Sequence, residues 1–202
     1  MPLSTSAEIE TSIIDWTNAG ITSAQAQDLI TLGEDRIYRE LRVRQMEDST
    51  AMAITSGAVS CPTDLLEVKD AHIDSEPDYA LQRKSPDWIY SNYPLRNEAG
   101  IPRFFARDGE NFIFGPAPAS GYSLVLNYWK RPATIVNGTL AGILASSPGL
   151  ILYAALSESE PFLGRDQRIV VWEQKYQQLK ELIMKSDRQE RFSGSPLTVT
   201  AS

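Results

Sequence analysis

An apolar stripe with a glycine at its centre constrains this chain more than any other feature. Ala26, Ile30, Gly33, Ile37 and Leu41 recur every three or four residues, the spacing that gathers side chains on one face of an α-helix. Thr22 opens the run and Gln25 follows three residues later, a capping-box pattern, and the period carries the helix to about Arg44. Gly33 has no Cβ, so the stripe offers a place where a second helix can approach closely. Several candidates for that partner exist. Ser6 to Trp16 reads as a short helix, with Ser6 as N-cap, Ile9, Ile13 and Trp16 on one face, and Gly20 as the stop. Far along the chain, Ser147-Pro148 starts a helix over LILYAALSESEPF, which Pro161 bends or breaks. After Gly164 comes the longest helical run, Arg165 to about Glu190, where Ile169, Trp172, Tyr176, Leu179 and Ile183 form the seam of a packed helical pair.

Between these ends the period changes. AMAITSGAVSCP suggests two short strands around Ser56-Gly57, LLEVKDAHID a longer one, and Tyr79-Ala80-Leu81 a brief one. Ser85-Pro86 starts a single short helix over DWIYS. Arg103–Arg107, Asp108-Gly109 and Asn111–Phe114 form the clearest hairpin, and Ser123 to Lys130 alternates as a further strand after the proline-rich loop Gly115–Gly121. Phe104 and Phe105 are adjacent on a strand and point to opposite faces, which assigns one of them to a contact surface. The expected fold is α+β, mainly α. Residues 1–48 and 146–190 make a helical bundle, residues 49–145 a β-rich lobe inserted in its middle, and residues 191–202 an extended C-terminal tail. That tail, RFSGSPLTVTAS, cannot bury a face alone.

Charge and chemistry narrow the function classes. The chain has 202 residues, a formal net charge of −7 and a sequence pI near 4.8, against the positive surface that a general nucleic-acid binder needs. No run approaches the roughly 20 apolar residues of a membrane helix, and MPLSTSAEIE lacks the basic start and apolar run of a signal peptide. These features imply folding in the cytoplasm. Cys61 is the sole cysteine, so it makes no internal disulfide and has no zinc ligand set around it. His72, the sole histidine, has no nucleophile motif to serve. Glu158 and Glu160 point in different directions on a helix, a poor glycosidase pair. No phosphate-binding glycine motif occurs. The reading is a protein that is not an enzyme, with no cofactor and no metal. Arg36, Arg39, Arg42 and Arg44 lie among Glu34, Asp35, Glu40, Glu47 and Asp48, with Arg36 and Glu40 spaced to pair. Mixed charge of this kind marks a solvated or subunit-contacting face, and Arg36, Arg39, Glu40 and Arg42 are the candidate interface residues.

Four blocks in order carry a resemblance: DLITLGEDRIYRELRVRQME, VSCPTDLLEVKDAHI, GIPRFFARDGENFIFGPAPASGYSLVLNYWKRP and SSPGLILYAALSESEPFLGRDQRIVVWEQKY. Together they resemble the head-to-tail adaptors of short-tailed bacteriophages, also called tail tubular protein A or head completion proteins. The resemblance covers roughly Asp28 to Gln178. It implies a helical bundle with a β-rich lobe, forming a dodecameric ring in the virion neck. That ring joins the portal protein to the tail nozzle protein. Double-stranded DNA passes its channel without specific binding, and neither membrane nor cofactor is involved. It also implies a C-terminal tail that orders on the portal, which makes Arg191, Phe192, Pro196, Leu197 and Val199 the candidate portal contacts. The alternatives are a ring-forming completion protein of a long tail, a virion-associated cell-wall hydrolase, and a small DNA-binding regulator.

Overall fold

The computed structural model describes residues 3–18, 20–54, 57–74, 79–95, 99–118, 121–135, 138–164 and 166–192. Its helices are α1 (Ser6–Trp16), α2 (Ser23–Glu40), α3 (Pro86–Asn92), α4 (Gly142–Ser146), α5 (Pro148–Ser157), α6 (Glu160–Leu163) and α7 (Arg168–Phe192), with a 3-10 turn at Arg44–Met46. Its strands are β1 (Glu47–Ile54), β2 (Ala58–Ser60), β3 (Leu65–Asp74), β4 (Tyr79–Ala80), β5 (Gln82–Arg83), β6 (Ala99–Gly100), β7 (Phe104–Asp108), β8 (Asn111–Gly115), β9 (Ala117–Pro118) and β10 (Tyr122–Lys130). This is an α+β fold, mainly α, with a β-rich middle. It divides into two compact units, Met1–Met46 with Pro132–Ser202, and Glu47–Arg131.

In the helical unit the local signals act largely where the sequence puts them. Thr22 caps α2, its Oγ1 accepting the Gln25 N–H while Gln25 Oε1 accepts the Thr22 N–H at 2.9 Å. On α1 the cap is Thr5 and not Ser6. Thr5 Oγ1 accepts the Glu8 N–H at 3.3 Å and Glu8 Oε2 accepts the Thr5 N–H at 3.0 Å, so a glutamate three residues on selects Thr5. The stop falls within the expected Asn18-Ala19-Gly20, with Asn18, at φ 55°, and not Gly20 in the left-handed position. α2 ends at Glu40, short of Arg44: Leu41 is extended at φ −104° and ψ 140°. Leu41 and Val43 are both buried, the alternation of extended chain and not of a helix.

α5 is apolar all round, burying Leu150, Ile151, Leu152, Ala154, Ala155 and Leu156, as a helix surrounded by protein must. Both α2 and α7 pack against it. Gly33 is what allows the first contact to be so close. A Cβ at that position would lie 3.0 Å from the Ala155 backbone nitrogen and 3.3 Å from its Cα. Pro161 sits in the first turn of α6, and Gly164, at φ 66°, caps its end. Residues 132–145, which the sequence reading places in the β-rich lobe, lie with the helices. The buried Glu34 carboxylate explains part of this, accepting the Ile135 N–H at 2.9 Å and the Tyr38 hydroxyl at 3.4 Å. α7 continues through Phe192, so Arg191 and Phe192 are helical and not part of an extended tail. Residues 193–202 lie outside the described residues.

The Glu47–Arg131 unit is a sandwich. One sheet has the order β1-β10-β3-β4, the second β2-β8-β7-β5, and β6 pairs with β9. β1 and β2 are therefore neighbours in sequence but members of different sheets. Ile54, Ile73, Leu124 and Leu126 from the first sheet meet Val59, Phe105, Phe112 and Phe114 from the second in one apolar cluster. β7 and β8 form the expected hairpin, closed by Gly109-Glu110 with Gly109 at φ 60°. α3 covers the outer face of the second sheet, where Ile89 packs with Ala106 and Ile113. Phe104 faces that helix, 4.8 Å from the Trp88 ring. Phe105 is 3% exposed inside the sandwich, while Phe104 is half-buried under α3.

Candidate interaction surface

The charged face of α2 meets α7 through a ladder of ionic contacts. Arg36 is its hub. The guanidinium donates to Glu173 Oε1 at 2.7 Å and Oε2 at 2.9 Å, a two-pronged pairing. It also donates to Glu40 Oε1 at 3.1 Å, Ser157 Oγ at 2.9 Å and Glu158 Oε1 at 3.2 Å. One step further, Glu40 Oε2 accepts from Lys180 Nζ at 2.8 Å and from the Tyr176 hydroxyl at 2.9 Å. Beyond the helix end, the Arg44 N–H donates to Asp187 Oδ1 at 2.7 Å and its guanidinium pairs with Glu190. Reading along α2 and the 3-10 turn the signs run plus, minus, plus; along α7 they run minus, plus, minus.

Hydrogen bonds within the ladder favour the charged forms of Arg36, Glu40 and Glu173. Hydrogen bonding to Arg36 holds the Glu173 carboxyl below its ordinary range. Burial pushes Glu40 up, but hydrogen bonds from Lys180, Arg36 and Tyr176 outweigh it and the net shift is downward. Arg36 shifts upward, chiefly through its hydrogen bond to Glu173. Burial first, then the bond to Glu40, raises the Tyr176 hydroxyl. The Arg36 guanidinium also lies 4.4 Å from the centre of the Tyr176 ring. Beside the last rung a groove of about 440 Å³ opens between the 3-10 turn, α4 and the distal half of α7, lined by Val43, Ile143, Leu179, Leu182 and Ile183. Leu182 is 63% exposed there.

Elsewhere the chemistry is sparse. His72 Nδ1 stands 3.8 Å from Asp70 on β3. The Cys61 thiol is pushed up by burial, away from the thiolate form that a nucleophile needs. Glu158 is engaged by Arg36 while Glu160 lies exposed on α6. Among the described residues no group of three or more His, Cys, Asp or Glu side chains is placed to hold a metal ion, and no helix is long and apolar enough to cross a membrane.

The ladder thus joins α2 to α7 within the chain, and comparison with known proteins supplies the family. Residues 4–200 match the family described as SU10 adaptor protein. The chain belongs to the SU10 adaptor protein family. None of the curated proteins matches it. The family is a structural, phage adaptor family, which makes this chain a virion component and agrees at that level with the adaptor resemblance of its four sequence blocks.

On this SU10 adaptor family member the sequence-derived interface residues divide. Arg36 and Glu40 are turned inward to α7 and are engaged within the chain. Arg42 donates to the Tyr38 and Leu41 carbonyls, each at 2.6 Å, which closes the C-terminal end of α2. Arg39 stands exposed. Of the tail residues, Arg191 pairs with Asp187 at 2.9 Å, and Pro196, Leu197 and Val199 lie outside the described residues. Sequence reasoning missed the α7 partners. Glu173, Lys180 and Asp187 recur every seven residues, a spacing that places them on one helix face and was the available signal.

Proposed function

We propose that this chain is a head-to-tail adaptor whose copies form a ring, of about a dozen subunits, between the portal and the tail nozzle. The family match across residues 4–200 carries this reading. In it, the ring extends the channel through which packaged DNA is retained and later ejected. A net charge of −7 suits a conduit that must let the duplex slide. Arg39 and Arg42 belong to the face between neighbouring subunits. The segment after α7, with Pro196, Leu197 and Val199, joins Arg191 and Phe192 in contacting the portal, adding a strand or strap to it.

Mass photometry of the protein alone and mixed with its portal tests the reading. Rings of about a dozen copies in the presence of portal are expected. Deleting residues 193–202 should leave the helical unit folded but abolish co-sedimentation with portal. A full-length chain that stays monomeric beside portal removes the ring reading, and a truncated chain that still co-sediments removes the role of the tail.

A further inference from the structure

We propose that α7 is exchanged between neighbouring copies, leaving its own chain and seating on the α2–α5 surface of the next. Three observations on the described residues lead there. First, none of the four residues of α6, which precedes α7, is buried, and Gly164 follows it at φ 66°. Second, α7 is a helix of 25 residues, about 37 Å long at the helical rise. Only Trp172 and Tyr176 along its seam are buried, while Val170, Val171 and Leu182 are exposed.

Third, the seat is written in charge. The ladder of Arg36, Glu40 and Arg44 against Glu173, Lys180 and Asp187–Glu190 alternates in sign, so a helix docked one rung out of register meets like charges. An α2–α5 surface emptied of its own α7 is therefore complementary to one other helix above all, the α7 of a second copy. Each ion pair and apolar packing broken on opening re-forms on exchange, which is why swapping an existing element is a low-cost route to assembly. Repeated around a closed set of copies, the exchange makes each subunit hold the next.

The inference rests on the self-association in the adaptor reading, and its test separates the two. One variant reverses the α2 side, Arg36→Glu with Glu40→Lys. A second reverses the α7 side, Glu173→Arg with Lys180→Glu. Each alone opposes its own ladder, and only a mixture offers matched partners. Native mass spectrometry of the equimolar mixture should show a species containing both variants in equal number, at twice the 22.5 kDa chain mass or an even multiple of it. The four substitutions in one chain restore the match internally and should bring α7 amide protection back to the wild-type level, which checks that the reversed charges are tolerated. A mixture that gives only the sum of its components overturns the exchange, as does wild-type α7 protection in both two-site variants. If the wild-type protein nevertheless forms rings with portal, the adaptor reading stands without it. Mixed species from a protein that ignores portal would uphold the exchange and remove the adaptor reading.

Discussion

In the Glu47–Arg131 unit the two sheets close over Phe105, Phe112 and Phe114, each at most 3% exposed, whereas α7 in the helical unit meets α2 through Arg36, Glu40 and Arg44 with their partners. The first arrangement is a dry interior, insensitive to solvent ions. The second keeps side-chain exposures of 20% for Arg36, 30% for Glu40 and 37% for Glu173. Pairs this wet contribute little net stability and weaken with salt, but their pattern of sign still specifies position. The proposed exchange uses such a division: one part keeps its shape, and the other is released and recaptured.

The contrast is most severely tested in the sandwich. Phe112→Ala empties the centre of the aromatic cluster and should cost roughly 3–5 kcal/mol, read as a lowered denaturant midpoint. A loss below about 1 kcal/mol would deny that this interior is closely packed. In the helical unit Gly33→Leu should cost about 1–3 kcal/mol by overpacking, since its new side chain meets the Ala155 backbone; unchanged thermal stability would place that face in solvent. The smallest effect belongs to acid. Glu40 and Glu173 titrate below the ordinary value of 4.5 when folded, so their contribution is present above pH 4.5 and is lost as the pH falls through the folded values. Amide exchange in α7, corrected for its intrinsic pH dependence, should therefore quicken on acidification below 4.5, and Glu173→Gln should flatten that response. Equal acid sensitivity in α7 and in the β8 core would erase the distinction between the units.

Much of this contrast was legible in the sequence, and what was missed shares a cause. Periodicity and caps report on neighbours in the chain, so α2, its Thr22–Gln25 box, the close approach at Gly33 and the β7–β8 hairpin could all be read. Periodicity names a face but not what covers it. The pairing of β1 with β10, not β2, joins segments far apart in sequence, such as Ser49 and Asn127, 78 positions apart. The Arg36–Glu173 contact spans 137 positions, so only its local companion, Arg36–Glu40, was visible. The α1 span Ser6–Trp16 was legible, but its caps were not, because Thr5 and Ser6 are both good caps and Asn, like Gly, can take the left-handed conformation. Arg191 and Phe192 were lost to the tail because composition turns polar before the helix ends.

The pairing of β1 with β10 also bears on how such a chain can change over evolution. Glu47, the first residue of the sandwich, lies opposite Trp129, two residues before its last. Partners in an antiparallel ladder sit only about 5 Å apart. To the helical unit, then, the whole sandwich is a detour that starts and finishes at nearly one point. Exchanging it for a short turn, or for an unrelated domain whose termini are equally close, leaves the path between α2 and α4 the same gap to span. What this lobe touches could therefore be altered with no change in the length of the connection to the helices.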